Sequence, residues 1–161
     1  MKAKRTSNLP ALLQKRLTYR CVFTPFTTVL EQVMAVERKY AQSHEWIRLE
    51  DDGTATIGVS AYAVEALTDL VFIQLPDIGQ KVKAGESFGE IESVKAVSDL
   101  YAPVSGEVVA VNTDLPGELE ILGDDPYQKG WIMRIKPDNT SDVESLLDQQ
   151  SYDALIAKQS P

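Results

Sequence analysis

The hydrophobic pattern between residues 41 and 137 predicts a domain built from short β-strands. Apolar residues alternate with polar or small residues in four separate stretches, as is typical of strands that bury one face. These apolar residues are Ala55, Ile57 and Val59, then Val71, Ile73 and Leu75, then Val109 and Val111, and finally Trp131, Met133 and Ile135. Asp52-Gly53 and Ser105-Gly106 are turn sequences between such stretches. Many short strands joined by frequent turns favour a small sandwich or barrel.

Two segments have a helical pattern instead. Residues 60–67 predict a short helix capped by Ser60. Residues 140–159 predict C-terminal helices, because Ser141 and Glu144 have the spacing of a capping box. Apolar residues then recur at helical spacing at Val143, Leu146, Leu147, Tyr152, Leu155 and Ile156. We expect a break near Gln150-Ser151, and we expect this helical segment to cover the sheet.

Charge divides the chain of 161 residues into two parts. Residues 1–33 hold six basic residues and one acidic residue, whereas residues 34–161 hold 10 basic and 23 acidic residues. We interpret the first part as an N-terminal extension and the second as the folded domain. The extension has the basic, hydroxyl-rich composition of a transit peptide, which would imply the mitochondrial matrix. It lacks an Arg-rich amphipathic helix, so we favour a start at Met34 and a cytoplasmic location.

Composition excludes several classes of function. The formal net charge of −8 argues against nucleic-acid binding, and no apolar run has the length of a membrane span. The only cysteine, Cys21, lies in the extension, and the only histidine is His44. The domain therefore lacks the ligands of a zinc site, and a Ser-His-acid triad would depend on His44 alone. We expect no metal site and no catalytic residue, so redox or group-transfer chemistry would need a group supplied from elsewhere.

Lys95 is the residue in the domain with the most informative surroundings. It is the only basic residue between Lys83 and Lys129, and acidic residues surround it. Strands are predicted on both sides of it, at Phe88–Glu92 and Val97–Tyr101, which places Lys95 near a hairpin tip. The tip has no glycine, asparagine or proline, so turn chemistry alone does not predict it.

Three roles are open for a lysine in this position. A solvated surface lysine is the commonest. A Schiff-base lysine needs a lowered pKa, which the surrounding acids oppose. An acylation site would offer the amine to a modifying enzyme, lose its charge and gain a long arm.

The segment GEIESVKAVSDLYAPVSGEVVAVN, residues 89–112, resembles the lipoyl-lysine segment of glycine cleavage system H proteins. Further segments resemble the same family in the same order: SHEWIR (43–48), DDGTATIGVSAYA (51–63), VFIQLPDIGQKVKAGE (71–86), DPY (125–127) and GWIMRIKP (130–137). Val94 and Ala96 differ from the methionines that flank the lysine of biotinyl domains. Val94 also differs from the aspartate that usually precedes the lysine in lipoyl domains of 2-oxoacid dehydrogenases.

The resemblance implies a mainly β fold, a barrel-sandwich hybrid of two small antiparallel sheets with Lys95 on a hairpin. It implies lipoate in amide linkage to Lys95 and recognition of Glu92 by the lipoylating enzyme. Gly79 and Gly106 match glycines that shape the flanking turns. Gln128 departs from the family, which usually has glycine there, and residues 113–119 diverge.

The resemblance also implies a surface cleft that receives the loaded arm. Ser43, Glu45 and Asp99 match the polar residues that line this cleft in the family. His44 lies between two of them, and we interpret it as a packed structural histidine rather than a catalytic one.

The function implied is that of a monomeric, non-catalytic lipoyl carrier. It would take the aminomethyl group of glycine from the PLP-dependent decarboxylase to the tetrahydrofolate-dependent aminomethyltransferase, and dihydrolipoamide dehydrogenase would then reoxidise it. Three alternatives remain: an H-like lipoyl donor or relay for other lipoate-dependent complexes, an unmodified binding module, and a hydrolase that uses Glu90 and Glu92.

Overall fold

The structure is a computed structural model and describes residues 37–159. The N-terminal extension predicted at residues 1–33 lies outside the described residues. The strands of the described part are β1 (Arg38–Tyr40), β2 (Glu45–Leu49), β3 (Ala55–Val59), β4 (Leu70–Ile73), β5 (Lys81–Val82), β6 (Ser87–Ser93), β7 (Val97–Tyr101), β8 (Gly106–Val111) and β9 (Trp131–Pro137). The helices are α1 (Ala61–Leu67), α2 (Glu120–Asp124), α3 (Ser141–Glu144) and α4 (Gln149–Gln159).

The strands form two antiparallel sheets, as expected from the sequence. The larger sheet has the strand order β1-β2-β3-β9-β8-β5, and the smaller has the order β4-β6-β7. Every pairing between neighbouring strands is antiparallel. The mainly β class and the two-sheet architecture are therefore confirmed.

Two hydrophobic clusters hold the fold together. The main cluster takes buried side chains from both sheets, including Ile57 and Ile135 from the larger sheet and Ile91 and Leu100 from the smaller. The second cluster contains Tyr40, Trp46 and Tyr152, with Leu147, Leu155 and Ile156 packed against it. Since Tyr152 belongs to α4, the C-terminal helix covers the larger sheet as predicted.

The predicted alternation is wrong at several positions, although the strands themselves form. Val71 and Val109 are exposed rather than buried. A register shift lies beside each of them, between Leu70 and Phe72 and between Val108 and Ala110. Such bulges insert an extra residue and break the simple two-residue period.

Strands β3 and β9 also bury residues on both of their faces. Thr56 is buried, and its hydroxyl is satisfied there because it donates to Glu50 Oε1 at 2.6 Å. Gly58 lies under the ring of Trp46, and Ile132, which the alternation placed outward, is fully buried.

The helix starts were predicted with mixed success. Ser60 caps α1 as expected, and its hydroxyl oxygen accepts the N–H of Ala63 at 3.3 Å. The prediction of a capping box formed by Ser141 and Glu144 is wrong. Helix α3 begins after Thr140, which makes no side-chain cap bond, and the Ser141 hydroxyl donates to Asn139 Oδ1.

The break between the C-terminal helices is also earlier than predicted. Residues 145–148 separate α3 from α4, whereas the pattern placed the break at Gln150-Ser151. The Asp148 carboxylate accepts the N–H of Ser151 at 2.7 Å, so it satisfies a free donor in the first turn of α4. Within residues 37–159, no helix is long and apolar enough to cross a membrane.

We predict that Gly106→Ala destabilises the fold by about 1–3 kcal/mol, the usual cost of overpacking. An added Cβ at Gly106 would lie 2.5 Å from the carbonyl oxygen of Lys136 on the paired strand β9, and the strand backbone cannot easily yield. Gly117→Ala is the matched control, because its added Cβ would have Asp114 O as its nearest neighbour at 3.6 Å. Urea denaturation of both variants measures the difference, and equal stabilities would contradict the prediction.

Candidate functional site

Lys95 lies at the tip of the β6–β7 hairpin, between the two strands predicted from the sequence. The side chain of Ser93 closes the tip. The Ser93 Oγ accepts the N–H of Ala96 at 3.1 Å and lies 3.4 Å from the backbone nitrogen of Lys95. The backbone N–H of Ser93 donates to Ala96 O at 2.8 Å. A serine hydroxyl therefore supplies the turn chemistry that the tip sequence lacks.

The hairpin tip is also tied to the chain outside it. The N–H of Val94 donates to Asp69 O at 3.0 Å, in the connection between α1 and β4. The Lys95 side chain is exposed, and the ion pairs found among residues 37–159 do not include it. This arrangement presents a free amine to solvent on a backbone that is fixed on both sides.

Glu92 lies on β6, three residues before Lys95. In the three-stranded sheet it pairs with Phe72 of β4 on one side and with Val97 of β7 on the other. Both of these apolar side chains are exposed. Glu92 therefore lies between two exposed apolar side chains, three residues from Lys95.

The two predicted glycines lie away from the Lys95 hairpin, one in a turn bonded to the larger sheet through Val108 O and one at the start of a strand of that sheet. Gly79 has a φ of +87°, and it lies in a turn in which Gln80 N–H donates to Asp77 O at 3.1 Å. Gly106 begins strand β8, where it pairs with Val82 and Pro137. The positive φ at the first glycine and the close backbone approach at the second both require glycine.

A cleft of about 510 Å³ brings together the other predicted residues. Ser43, Glu45 and Asp99 all line it, and we call it the Glu45 cleft. Its remaining lining comes mainly from α1 and β7, and includes Tyr62, Ala63, Ala66, Leu67, Leu100 and Tyr101. Ser43 and Glu45, from β2 and the turn before it, therefore share the cleft with Asp99 of β7, and most of the remaining lining residues are apolar.

Glu45 is the most unusual group in the cleft, because its side chain is 2% exposed. The Tyr101 N–H donates to its Oε1 at 2.9 Å, and the Ser43 hydroxyl donates to its Oε2 at 2.5 Å. None of the ion pairs in the described part of the chain includes it. Burial raises the pKa of Glu45, and these two hydrogen bonds oppose the rise. A cation bound in the cleft would supply the missing countercharge.

Asp99 is exposed, and the Tyr101 hydroxyl lies 3.4 Å from its Oδ2. It lies four residues after Lys95, on strand β7, which begins at Val97. The strand thus leads from the hairpin tip that carries Lys95 to the cleft.

His44 has the structural packing expected of it. Its ring lies 5.1 Å from that of Tyr62, and its Nδ1 is 2.9 Å from the Tyr152 hydroxyl. Burial lowers the pKa of His44, which favours the neutral ring.

Sequence reasoning did not find several residues of the site. Tyr101 could have been found, because it lies two residues after Asp99 and such residues share one face of a strand. Tyr62 and Tyr152 come from distant helices, and no local pattern connects them to Ser43 or Glu45. Among residues 37–159, no three His, Cys, Asp or Glu side chains are grouped so that they could hold a metal ion.

Comparison with known proteins identifies relatives of the chain. Residues 38–159 match the family model described as glycine cleavage H-protein. The glycine cleavage system H protein of Psychrobacter sp. (strain PRwf-1) is 53% identical over 118 residues, which cover 73% of this chain and 94% of the relative. The protein of the same name from Idiomarina loihiensis is 52% identical over 118 residues, which cover 73% of this chain and 92% of the relative.

A solved structure is similar to the fold. The crystal structure of a glycine cleavage system H protein from Mycobacterium marinum matches with a TM-score of 0.70 and 42% sequence identity. The match covers 76% of this chain and 98% of the other.

We predict that Glu45→Gln changes stability in a pH-dependent way. The folded-state pKa of Glu45 is raised, so its carboxyl contributes stability below about pH 4 that is lost as pH rises through the raised value. Glutamine does not titrate; its Oε1 can still accept the Tyr101 N–H, and its Nε2 can donate to the Ser43 hydroxyl. The wild type should therefore lose stability between pH 4 and pH 7 relative to the variant. The melting temperature of the variant minus that of the wild type should be larger at pH 7 than at pH 4, and taking this difference cancels the effect of the other carboxylates. A difference that is constant or falls with pH would contradict burial as the controlling effect.

Proposed function

The chain belongs to the glycine cleavage H-protein family, and from this premise we propose that it is the lipoyl carrier of the glycine cleavage system. It takes lipoate in amide linkage on Lys95 and carries the aminomethyl group of glycine between enzymes, without catalysing a step itself. Its partners are the PLP-dependent glycine decarboxylase, the tetrahydrofolate-dependent aminomethyltransferase, dihydrolipoamide dehydrogenase and the lipoylating enzyme. The bacterial origin of the relatives favours the cytoplasm as its location.

The exposed amine of Lys95 on a fixed hairpin is the observation that carries this proposal. The β6–β7 strands and the Ser93 side chain hold the backbone on both sides of the lysine. A lipoylating enzyme could reach the amine without unfolding the tip, and Glu92 would provide a charge for recognition three residues away. The bound lipoyl group would supply the dithiol that the described residues lack, because the only cysteine is Cys21.

The Glu45 cleft fits the cargo of such an arm. An aminomethyl group is an amine and is cationic at neutral pH. The buried Glu45 carboxylate and Asp99 would hold it by charge-assisted hydrogen bonds, and Ser43 would orient Glu45. The cleft floor would exclude water from the cargo, which limits its hydrolysis during transfer.

We predict that Lys95→Arg abolishes lipoylation, because the guanidinium keeps the charge but cannot form the amide. Incubation with lipoate ligase, lipoate and ATP, followed by intact mass measurement, should show one added lipoyl group on the wild type and none on the variant. Lys83→Arg is the control, because the Lys83 side chain is also exposed and should leave loading unchanged. Loading of the Lys95 variant, or no loading of the wild type, would overturn the assignment.

We also predict that salt weakens recognition by partner enzymes. Residues 34–161 carry a net charge of −13, so basic faces on the partners would be attracted to them. The apparent KM of dihydrolipoamide dehydrogenase for the lipoylated protein should rise between about 0.01 M and about 1 M ionic strength, where the Debye length falls from about 30 Å to about 3 Å.

Free dihydrolipoamide is the control for this measurement, because it is neutral and its KM should change little with salt. If the KM for the lipoylated protein and the KM for free dihydrolipoamide change equally with salt, the hypothesis that charge guides docking of the domain is wrong.

A further inference from the structure

The hydroxyl of Tyr152 lies at a junction behind the Glu45 cleft. Tyr152 belongs to α4 and is 2% exposed. Its hydroxyl oxygen is 2.9 Å from His44 Nδ1 and 2.7 Å from Ser60 Oγ. One buried hydroxyl therefore bonds to two residues that are 16 positions apart in the chain and that belong to different sides of the cleft.

His44 fixes the first side of the cleft. Its φ of +78° lies in the left-handed region, which side chains other than glycine rarely adopt. Its N–H donates to Ala41 O at 3.1 Å, and its carbonyl accepts the N–H of Ser60 at 2.9 Å. Because Ser43 and Glu45 flank it directly, the backbone angle at His44 determines where both of these side chains point.

Ser60 fixes the second side. Its hydroxyl caps α1 by accepting the N–H of Ala63. The face of α1 that follows lines the cleft with Tyr62, Ala63, Ala66 and Leu67. A shift of Ser60 would move the start of this helix relative to Glu45.

The ring of Tyr152 is itself held in place. It stacks on Tyr40 of β1 with ring centroids 4.3 Å apart and an angle of 9° between the planes. The hydroxyl is thus set by packing in the second hydrophobic cluster, before any arm enters the cleft. Since Tyr152 contacts the cleft only through other residues, its role would be to position them.

We propose that Tyr152 is a positioning residue of the carrier, and that through His44 and Ser60 the C-terminal helix sets the geometry in which the Glu45 cleft shields the loaded arm. This inference rests on the proposed carrier function. It assigns to the C-terminal helix a part in holding the cargo, in addition to covering the larger sheet.

Tyr152→Phe tests the proposal, because it keeps the ring stack and removes only the hydroxyl. Tyr40→Phe is the matched control. It removes the hydroxyl of the other ring in the same stack, and that hydroxyl donates to Gln149 Oε1 at 2.6 Å rather than to the cleft.

The first measurement is NMR of the imidazole nitrogens in the unloaded protein. His44 is the only histidine in the sequence, so its signals need no assignment. Tyr152→Phe should shift the Nδ1 resonance, because the hydroxyl 2.9 Å away is gone, and Tyr40→Phe should leave it unchanged.

The second measurement is the half-life of the aminomethyl group on the lipoylated protein, in the absence of the aminomethyltransferase. Tyr152→Phe should shorten this half-life by about tenfold, which corresponds to about 1.4 kcal/mol and to the loss of one or two hydrogen bonds. Tyr40→Phe should keep the wild-type half-life. The rate of lipoylation by lipoate ligase should be the same in all three proteins, because Lys95 lies on the other sheet.

The outcomes separate the two proposals. A wild type that takes no lipoate would overturn the carrier function itself, whereas a loaded wild type whose aminomethyl group is not protected would overturn the role of the cleft and with it that of Tyr152. If the aminomethyl group has the same long half-life on the wild type and on Tyr152→Phe, the carrier function stands and the positioning role of Tyr152 is wrong. If Tyr152→Phe does not fold, Ser60→Ala replaces it, since it removes the other bond to the Tyr152 hydroxyl at a residue that does not itself line the cleft. Its half-life should also fall, and a wild-type value would contradict the proposal.

Discussion

The burial of the Glu45 carboxylate is the constraint on which the site depends. A buried charge is costly unless hydrogen bonds or an opposite charge compensate it. Glu45 belongs to β2 of the larger sheet, and it accepts the backbone N–H of Tyr101 from β7 of the smaller sheet. The same interaction therefore joins the two sheets, and no ion pair among residues 37–159 gives this acidic group a cationic partner. A protein built only for stability would favour an apolar residue in this position.

The rest of the fold connects the exposed Lys95 with the strand that bonds to that carboxylate. Strand β7 begins two residues after Lys95 and ends at Tyr101, so one strand connects the hairpin tip with the partner of Glu45. The opposite wall comes from α1, whose first turn is capped by Ser60. Such preorganisation suits a carrier, because a tethered group is delivered to successive active sites and its effectiveness depends on geometry.

The sequence predicted the elements better than the details of burial. Two-residue alternation found β3, β8 and β9, but it could not reveal the bulges that expose Val71 and Val109. The strands around Lys95 were predicted, whereas the turn was not, because Ser93 closes it through its side chain rather than through a turn residue. Ser43, Glu45 and Asp99 were identified by resemblance to a family. Tyr152 was not identified, because its role depends on a contact between residues 108 positions apart.

Peptide-mapped mass spectrometry of the protein isolated from its native host tests the central claim most directly. If the protein is a lipoyl carrier, Lys95 should carry a lipoyl amide and the other exposed lysines, such as Lys83, should carry an unmodified amine. An unmodified Lys95, in cells whose other lipoyl proteins are loaded, would contradict the account and favour an unmodified binding module.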